Sequence, residues 1–132
     1  MLLTYRILEE IAKNEFSDIV KNSALIGGKS AQPNKLRVFL IDGSFLDIWL
    51  SEENDYSFHW EQRAVRGLIH RWDNAPDHPE LETFPHHFHE GKENNIMNSH
   101  LDADMRIAFK EVLEFIRTQF KSDIGADTSP QP

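Results

Sequence analysis

The sequence predicts an α+β domain, an antiparallel sheet of about five or six short strands in a meander, flanked by an N-terminal and a C-terminal helix. Three observations lead there. Apolar residues recur at helical spacing at Ile7, Leu8 and Ile11, and again at Met105, Ala108, Phe109, Val112, Ile116 and Phe120. Between these segments, short β-branched and aromatic runs alternate with turn residues. Within that stretch, Asp42-Gly43 separates LRVFLI from FLDIWL, a strong local signal for a hairpin.

The first helix is expected over Tyr5 to Glu15, with Thr4 as its cap. Ile19 to Ile26 reads as a strand ending at Gly27-Gly28. The hairpin from Lys35 to Leu50 should turn through a two-residue type I′ loop, in which both Asp42 and Gly43 take positive φ. Its first arm is apolar nearly throughout, so cover on both faces is expected. YSFHWE (56–61) then places Tyr56, Phe58 and Trp60 on one face and Ser57, His59 and Glu61 on the other. GLIHRW (67–72) sets Leu68, His70 and Trp72 opposite Ile69 and Arg71. Prolines 76 and 79 forbid a helix in the next stretch, and FPHHFHE follows as a strand, an edge strand if Pro85 lies within it. GKENNIMNSH reads as a polar linker. Ser99, with Asp102 three residues on, should cap a helix whose apolar stripe covers one face of the sheet. Residues 1–122 are thus expected to form one domain, and 123–132 a disordered tail. No internal repeat is present.

The bulk chemistry excludes several classes. A formal net charge of −8 over 132 residues disfavours a protein that holds nucleic acid by general attraction. The charge is uneven: residues 1–72 carry 9 basic and 10 acidic groups, residues 73–132 carry 5 and 12. Arg63, Arg66 and Arg71 therefore sit in the near-neutral half, where a local basic patch is possible, and the acidic half suits a basic partner. Without cysteine there are no disulfides and no thiolate zinc sites. No run is apolar enough to cross a bilayer, and the N-terminus turns acidic too early for a secretory signal, so a cytoplasmic location without membrane contact is expected. Gly27-Gly28-Lys29-Ser30 ends like a phosphate loop, but Asn22 stands where the first glycine belongs.

Four of the seven histidines fall between His78 and His89. Period two puts His87 and His89 on one face of a strand and Phe84, His86 and Phe88 on the other. Three readings follow. In the first, His87 and His89 lie roughly 7 Å apart at Cα and lean onto one divalent ion such as zinc, with a third ligand from His78, Asp73 or His59. In the second, no cofactor is needed. Two histidines act as acid and base on a ribose 2′-hydroxyl and a leaving oxygen, Arg71 clamps the phosphate, and Trp60 or Trp72 stacks on a base. The third is structural: Phe84, Phe88 and Trp72 are core, prolines stiffen the loop, and histidines bond along a sheet edge. His70 reads as a satisfied structural histidine, His100 as solvated, and Asp73-Asn74 as a turn former.

YSFHWE, GLIHRWDNAP, His78 and TFPHHFH together resemble the signature of the TumE family of toxin–antitoxin toxins, with the likeness running from about Lys35 to Glu90. The motif positions here are His59, Trp60, Arg71, Trp72, Asp73, Asn74, Pro76, His78, Phe84, Pro85, His86, His87 and His89. The resemblance implies a toxin paired with a DNA-binding antitoxin. By analogy with other small toxins it implies nucleic-acid cleavage, with RNA the first expectation, which joined to the second reading above gives a metal-independent ribonuclease. His87, His89, His78, His59 and Arg71 would then be catalytic, and Trp60, Trp72, Asp73, Asn74 and His86 would line the substrate. A metal-dependent hydrolase on His87, His89 and Asp73, and a non-catalytic module that binds a protein partner, are the alternatives. A homodimer is compatible with all three. Two positions depart from the family pattern: Asp77 stands where members often have histidine, and Phe88 where they often have lysine.

Overall fold

The computed structural model describes residues 1–127, with side chains through residue 123. The described chain divides into two compact units, Met1–His100 and a second beginning at Leu101. The first unit opens with helix α1 (Leu2–Glu15) and continues into strands β1 (Val20–Ile26), β2 (Lys35–Leu40), β3 (Phe45–Leu50) and β4 (Tyr56–Gln62). A four-residue helix, α2 (Arg63–Arg66), precedes β5 (Leu68–Asp73), β6 (His87–Gly91) and β7 (Ile96–Asn98). The seven strands among the described residues form one sheet in the order of the sequence, each antiparallel to its neighbours. This is the predicted α+β meander with more strands than expected.

Alternation decides which face is buried. Leu36, Val38 and Leu40 on β2, Leu46, Ile48 and Leu50 on β3, and Tyr56, Phe58 and Trp60 on β4 are buried. Register joins them into rows, such as Leu36–Ile48–Phe58–Trp72–Phe88. The residues between them in sequence face the other way, so β2 is covered on one face rather than both. Tyr5 anchors α1 to this unit: its hydroxyl accepts from Leu50 N–H (3.0 Å) and donates to the Asn34 carbonyl (3.2 Å).

Several local expectations change. The β2–β3 connection is not type I′, because Asp42 does not take positive φ and only Gly43 does (φ 93°). Gly43 N–H donates to the Leu40 carbonyl and Leu40 N–H to the Ser44 carbonyl, a three-residue loop with glycine in the bulge position. Asp42 is used instead as an acceptor for Ser44 N–H and Oγ. The expected polar linker holds β7, which pairs with β6 through His89↔Ile96 and His87↔Asn98. Thr4 lies inside α1, and no side chain caps that helix. Phe84 and Pro85 lie in a turn before β6, joined by a cis peptide.

The second unit contains helix α3 (Met105–Asp127). Its start is set by Asp104, whose Oδ1 accepts from Arg106 N–H (2.9 Å), rather than by Ser99. Ser99 belongs to the first unit, where its N–H donates to Thr83 Oγ1 (3.0 Å). Residues 123–127, expected in a disordered tail, are helical; the rest of that expected tail lies outside the described residues.

Candidate functional site

One face of β4, β5 and β6 carries His59, Arg71, Asp73, His87 and His89, and register places them. Arg71 and Asp73 are two apart on β5, and His87 and His89 are two apart on β6. Antiparallel pairing sets Arg71 opposite His89 and Asp73 opposite His87, so four side chains occupy the corners of one small rectangle. Ser57 and His59 on β4 continue the two rows.

Within the rectangle, His87 Nε2 lies 2.9 Å from Asp73 Oδ1, and His89 Nε2 lies 3.9 Å from Asp73 Oδ2. The far nitrogen of each ring is held by a backbone carbonyl, His87 Nδ1 by Pro85 at 3.1 Å and His89 Nδ1 by Glu93 at 2.8 Å. A carbonyl only accepts, so both Nδ1 atoms carry protons. His89 Nε2 then presents a lone pair, which Arg71 Nη2 faces at 3.3 Å. His87 differs. Its Nε2 also faces an acceptor, and a hydrogen bond to an ionised Asp73 requires a second ring proton.

Both rings are nearly enclosed, with His87 2% and His89 6% exposed at the side chain. Burial, together with the positive charges of Arg71 and His87, pushes the His89 pKa down against the opposing Glu93 carbonyl and Asp73. Arg71 Nε bonds Asp73 Oδ2 (3.1 Å), while its terminal nitrogens grip the Glu93 carboxylate at 2.6 and 2.8 Å. That grip lowers the Glu93 pKa. His78, from the β5–β6 connection, meets both rings edge-on, 4.9 Å from His87 and 6.2 Å from His89 between centroids.

The structure therefore brings together Asp73, His87, His89, Arg71 and His78. His59 is opposite Arg71, but its Nε2 is bonded to Glu61 (3.1 Å). The other expected substrate contacts lie elsewhere. Trp60 and Trp72 alternate with His59, Arg71 and Asp73 and so lie on the opposite face of the sheet from the rectangle, where Trp72 stacks on Phe88 at 4.6 Å. Asn74 serves the turn, accepting from Tyr56 N–H and donating to the Asn54 carbonyl. His86 stacks on Tyr56 and shares a 2.9 Å hydrogen bond with its hydroxyl. Tyr56 itself is pushed up to about 12 by burial and by the charge of Asp73, which keeps its proton in place at neutral pH.

Two residues of this face were not read from the sequence. Glu93 sits in a polar turn and gave no signal. Trp49, 44% exposed, lies in the row Trp49–Ser57–Asp73, and simple alternation from Asp47 would have placed it there. Beside it, Arg37 packs over the Phe45 ring at 4.0 Å. Lys35, Arg37 and Asp47 form an ion-paired cluster along the same face.

Among the described residues, no helix is long and apolar enough to cross a membrane. Comparison with curated proteins and with solved structures gave no match. The profile of a protein family described as Toxin TumE matches residues 7–120, well beyond the stretch that carries the signature and including the buried rows and the histidine rectangle alike. The chain belongs to the TumE toxin family, the toxin side of a toxin–antitoxin pair.

Proposed function

We propose that this toxin cleaves RNA at the His87–His89 rectangle, by acid–base catalysis that needs no metal. The observation that supports the reading is the opposite hydrogen bonding of two neighbouring imidazoles. His89 Nε2 faces the Arg71 donor, and His87 Nε2 faces the Asp73 carboxylate, which would hold a proton on that nitrogen whenever the ring is charged. In the proposed reaction His89 takes the proton of a ribose 2′-hydroxyl, and that oxygen attacks the adjacent phosphorus. His87 gives its proton to the departing 5′-oxygen, leaving a 2′,3′-cyclic phosphate. Arg71 neutralises the charge that develops on the phosphate oxygens. Asp73 is a positioning residue that holds His87 and balances its charge.

The exposed Trp49 replaces Trp60 and Trp72 as the surface on which a base would stack. Glu93 occupies Arg71 as a phosphate would, so RNA must displace that carboxylate. The antitoxin partner is proposed to be a DNA-binding protein that covers this face.

The test is cleavage of a defined RNA by untagged protein in EDTA. A product ending in a cyclic phosphate is expected, and a single 2′-deoxy nucleotide at the cut site should block the reaction. Replacing either His87 or His89 by alanine should lower the rate by roughly 10²–10⁴. Cleavage of the deoxy substrate, or full activity without His89, would end this assignment.

A further inference from the structure

We propose that Asp73, His87 and His89 also form a site for one divalent transition-metal cation of the zinc class. The proposal rests on the geometry of the three side chains and holds whatever substrate the toxin takes. One carboxylate oxygen and two imidazole nitrogens lie within 4.8 Å of one another, close enough for one ion to reach all three after small shifts. Both rings are oriented as metal-binding histidines usually are, with Nδ1 tied to a backbone carbonyl and Nε2 turned towards the common centre. This outer support fixes the ring positions before any ion arrives.

The donor set selects the cation class. Two imidazole nitrogens and one carboxylate suit zinc and its neighbours in the first transition row, whereas magnesium and calcium prefer all-oxygen shells. Three protein ligands leave a fourth position open in a tetrahedral site. The near-complete enclosure of both rings separates this trio from the surface acids that collect ions casually. A cation would also settle the contact in which His87 Nε2 and Asp73 Oδ1 face each other at 2.9 Å, two groups that both accept when the ring is neutral.

Arg71 opposes occupancy, because its Nη2 points at His89 Nε2. Glu93 already holds the other side of that guanidinium and offers it a place to withdraw. A bound cation engages the two Nε2 atoms that acid–base cleavage uses. The metal-loaded and metal-free proteins are therefore alternative states of one site.

The experiment titrates the full, untagged, chelator-stripped chain with zinc by calorimetry, and with cobalt(II) by visible absorption, both without RNA. One equivalent of zinc is expected, with a cobalt spectrum of a four- or five-coordinate nitrogen–oxygen site. Asp73→Asn and His89→Ala should weaken zinc by more than about a hundredfold, beyond the usual cost of losing an outer partner. His86→Ala and His100→Ala should leave it unchanged. The wild-type cobalt spectrum needs no variant, so a misfolded mutant cannot hide the answer. Absence of one-equivalent binding, an octahedral all-oxygen spectrum, or affinity that survives both ligand replacements would overturn the site. Cleavage in EDTA is a separate measurement and decides the ribonuclease reading alone. Cleavage that appears only with metal would keep the site and reassign the chemistry.

Discussion

Strands β4, β5 and β6 carry histidines on both faces, and the two sets live under different physics. On the buried face His70 lies among rings, stacked with Trp60 (5.2 Å), Phe88 (5.9 Å) and Trp72 (6.5 Å), with Nδ1 bonded to Gln62 at 2.7 Å. Burial and the nearby charge of Arg66 push its pKa down to about 4, so it is neutral at any ordinary pH. On the opposite face His87 and His89 are almost as enclosed, yet their neighbours are a carboxylate, a guanidinium and a third imidazole. Burial alone therefore does not distinguish His70 from the two histidines proposed to be functional. Their partners differ, and register supplies the partners.

The contrast is sharpest if one residue is removed from each face. His89→Ala should lower RNA cleavage by at least about a hundredfold. His70→Ala should destabilise the fold by about 2–4 kcal/mol through the cavity left among the rings, visible as a lower urea midpoint. Activity per folded molecule should remain. Exchange of these two outcomes would dissolve the distinction between the faces.

Acid should expose the same difference. An unfolded histidine titrates near 6.5, whereas His70 holds at about 4 in the folded chain. Above the higher value both states are neutral and no proton is linked to unfolding. As pH falls through the window between the two values, the unfolded chain takes the proton first and stability is lost, by up to about 3 kcal/mol for this residue. The depressed pKa of His89 acts with the same sign. Denaturant titrations at pH 7 and pH 5, on wild type and His70→Gln, measure the share due to His70; a loss undiminished in the variant would assign the acid sensitivity elsewhere.

Smaller effects test the rim of the histidine-bearing face. Trp49→Ala should weaken single-stranded RNA by about 1–3 kcal/mol, the range for loss of one stacked base, without a change in stability. Binding equal to wild type would remove Trp49 from the substrate path. Glu93→Gln should tighten RNA up to about tenfold at low salt, because Arg71 no longer faces a competing carboxylate. The exposed Glu93 carboxylate contributes little to folding, so the unfolding midpoint should hardly move. A fall in RNA affinity would mean that Glu93 shapes the site rather than blocks it.

Much of this was legible in the residues, and the misses have physical causes. Period two was enough to place His87 and His89 together and to separate them from Phe88. It could not supply Asp73 and Arg71 as their partners, because cross-strand register depends on the length and turns of the 74–86 connection. The same rule grouped Tyr56, Phe58 and Trp60 correctly, but alternation does not say which face is wet. Three aromatic residues on one face of β4 suit a core, and the burial of Trp60 there conflicts with the base-stacking role expected for it. Helix α2 and strand β7 have four and three residues, too few for any period to emerge. Asp42-Gly43 fits more than one loop, and only the glycine proved to need positive φ.

One residue of the β6–β7 turn does two jobs through different atoms. The Glu93 side chain holds the guanidinium of Arg71, and its main-chain oxygen fixes the proton on His89 Nδ1. A backbone shift in this turn would take Glu93 from Arg71, leave the guanidinium with Asp73, and release the tautomer of the neighbouring imidazole in one movement. Side-chain replacement at position 93 cuts only the first of these links. The turn thus couples where charge is available to where a proton resides, and a ligand that grips it acts on both without touching the guanidinium or the imidazole.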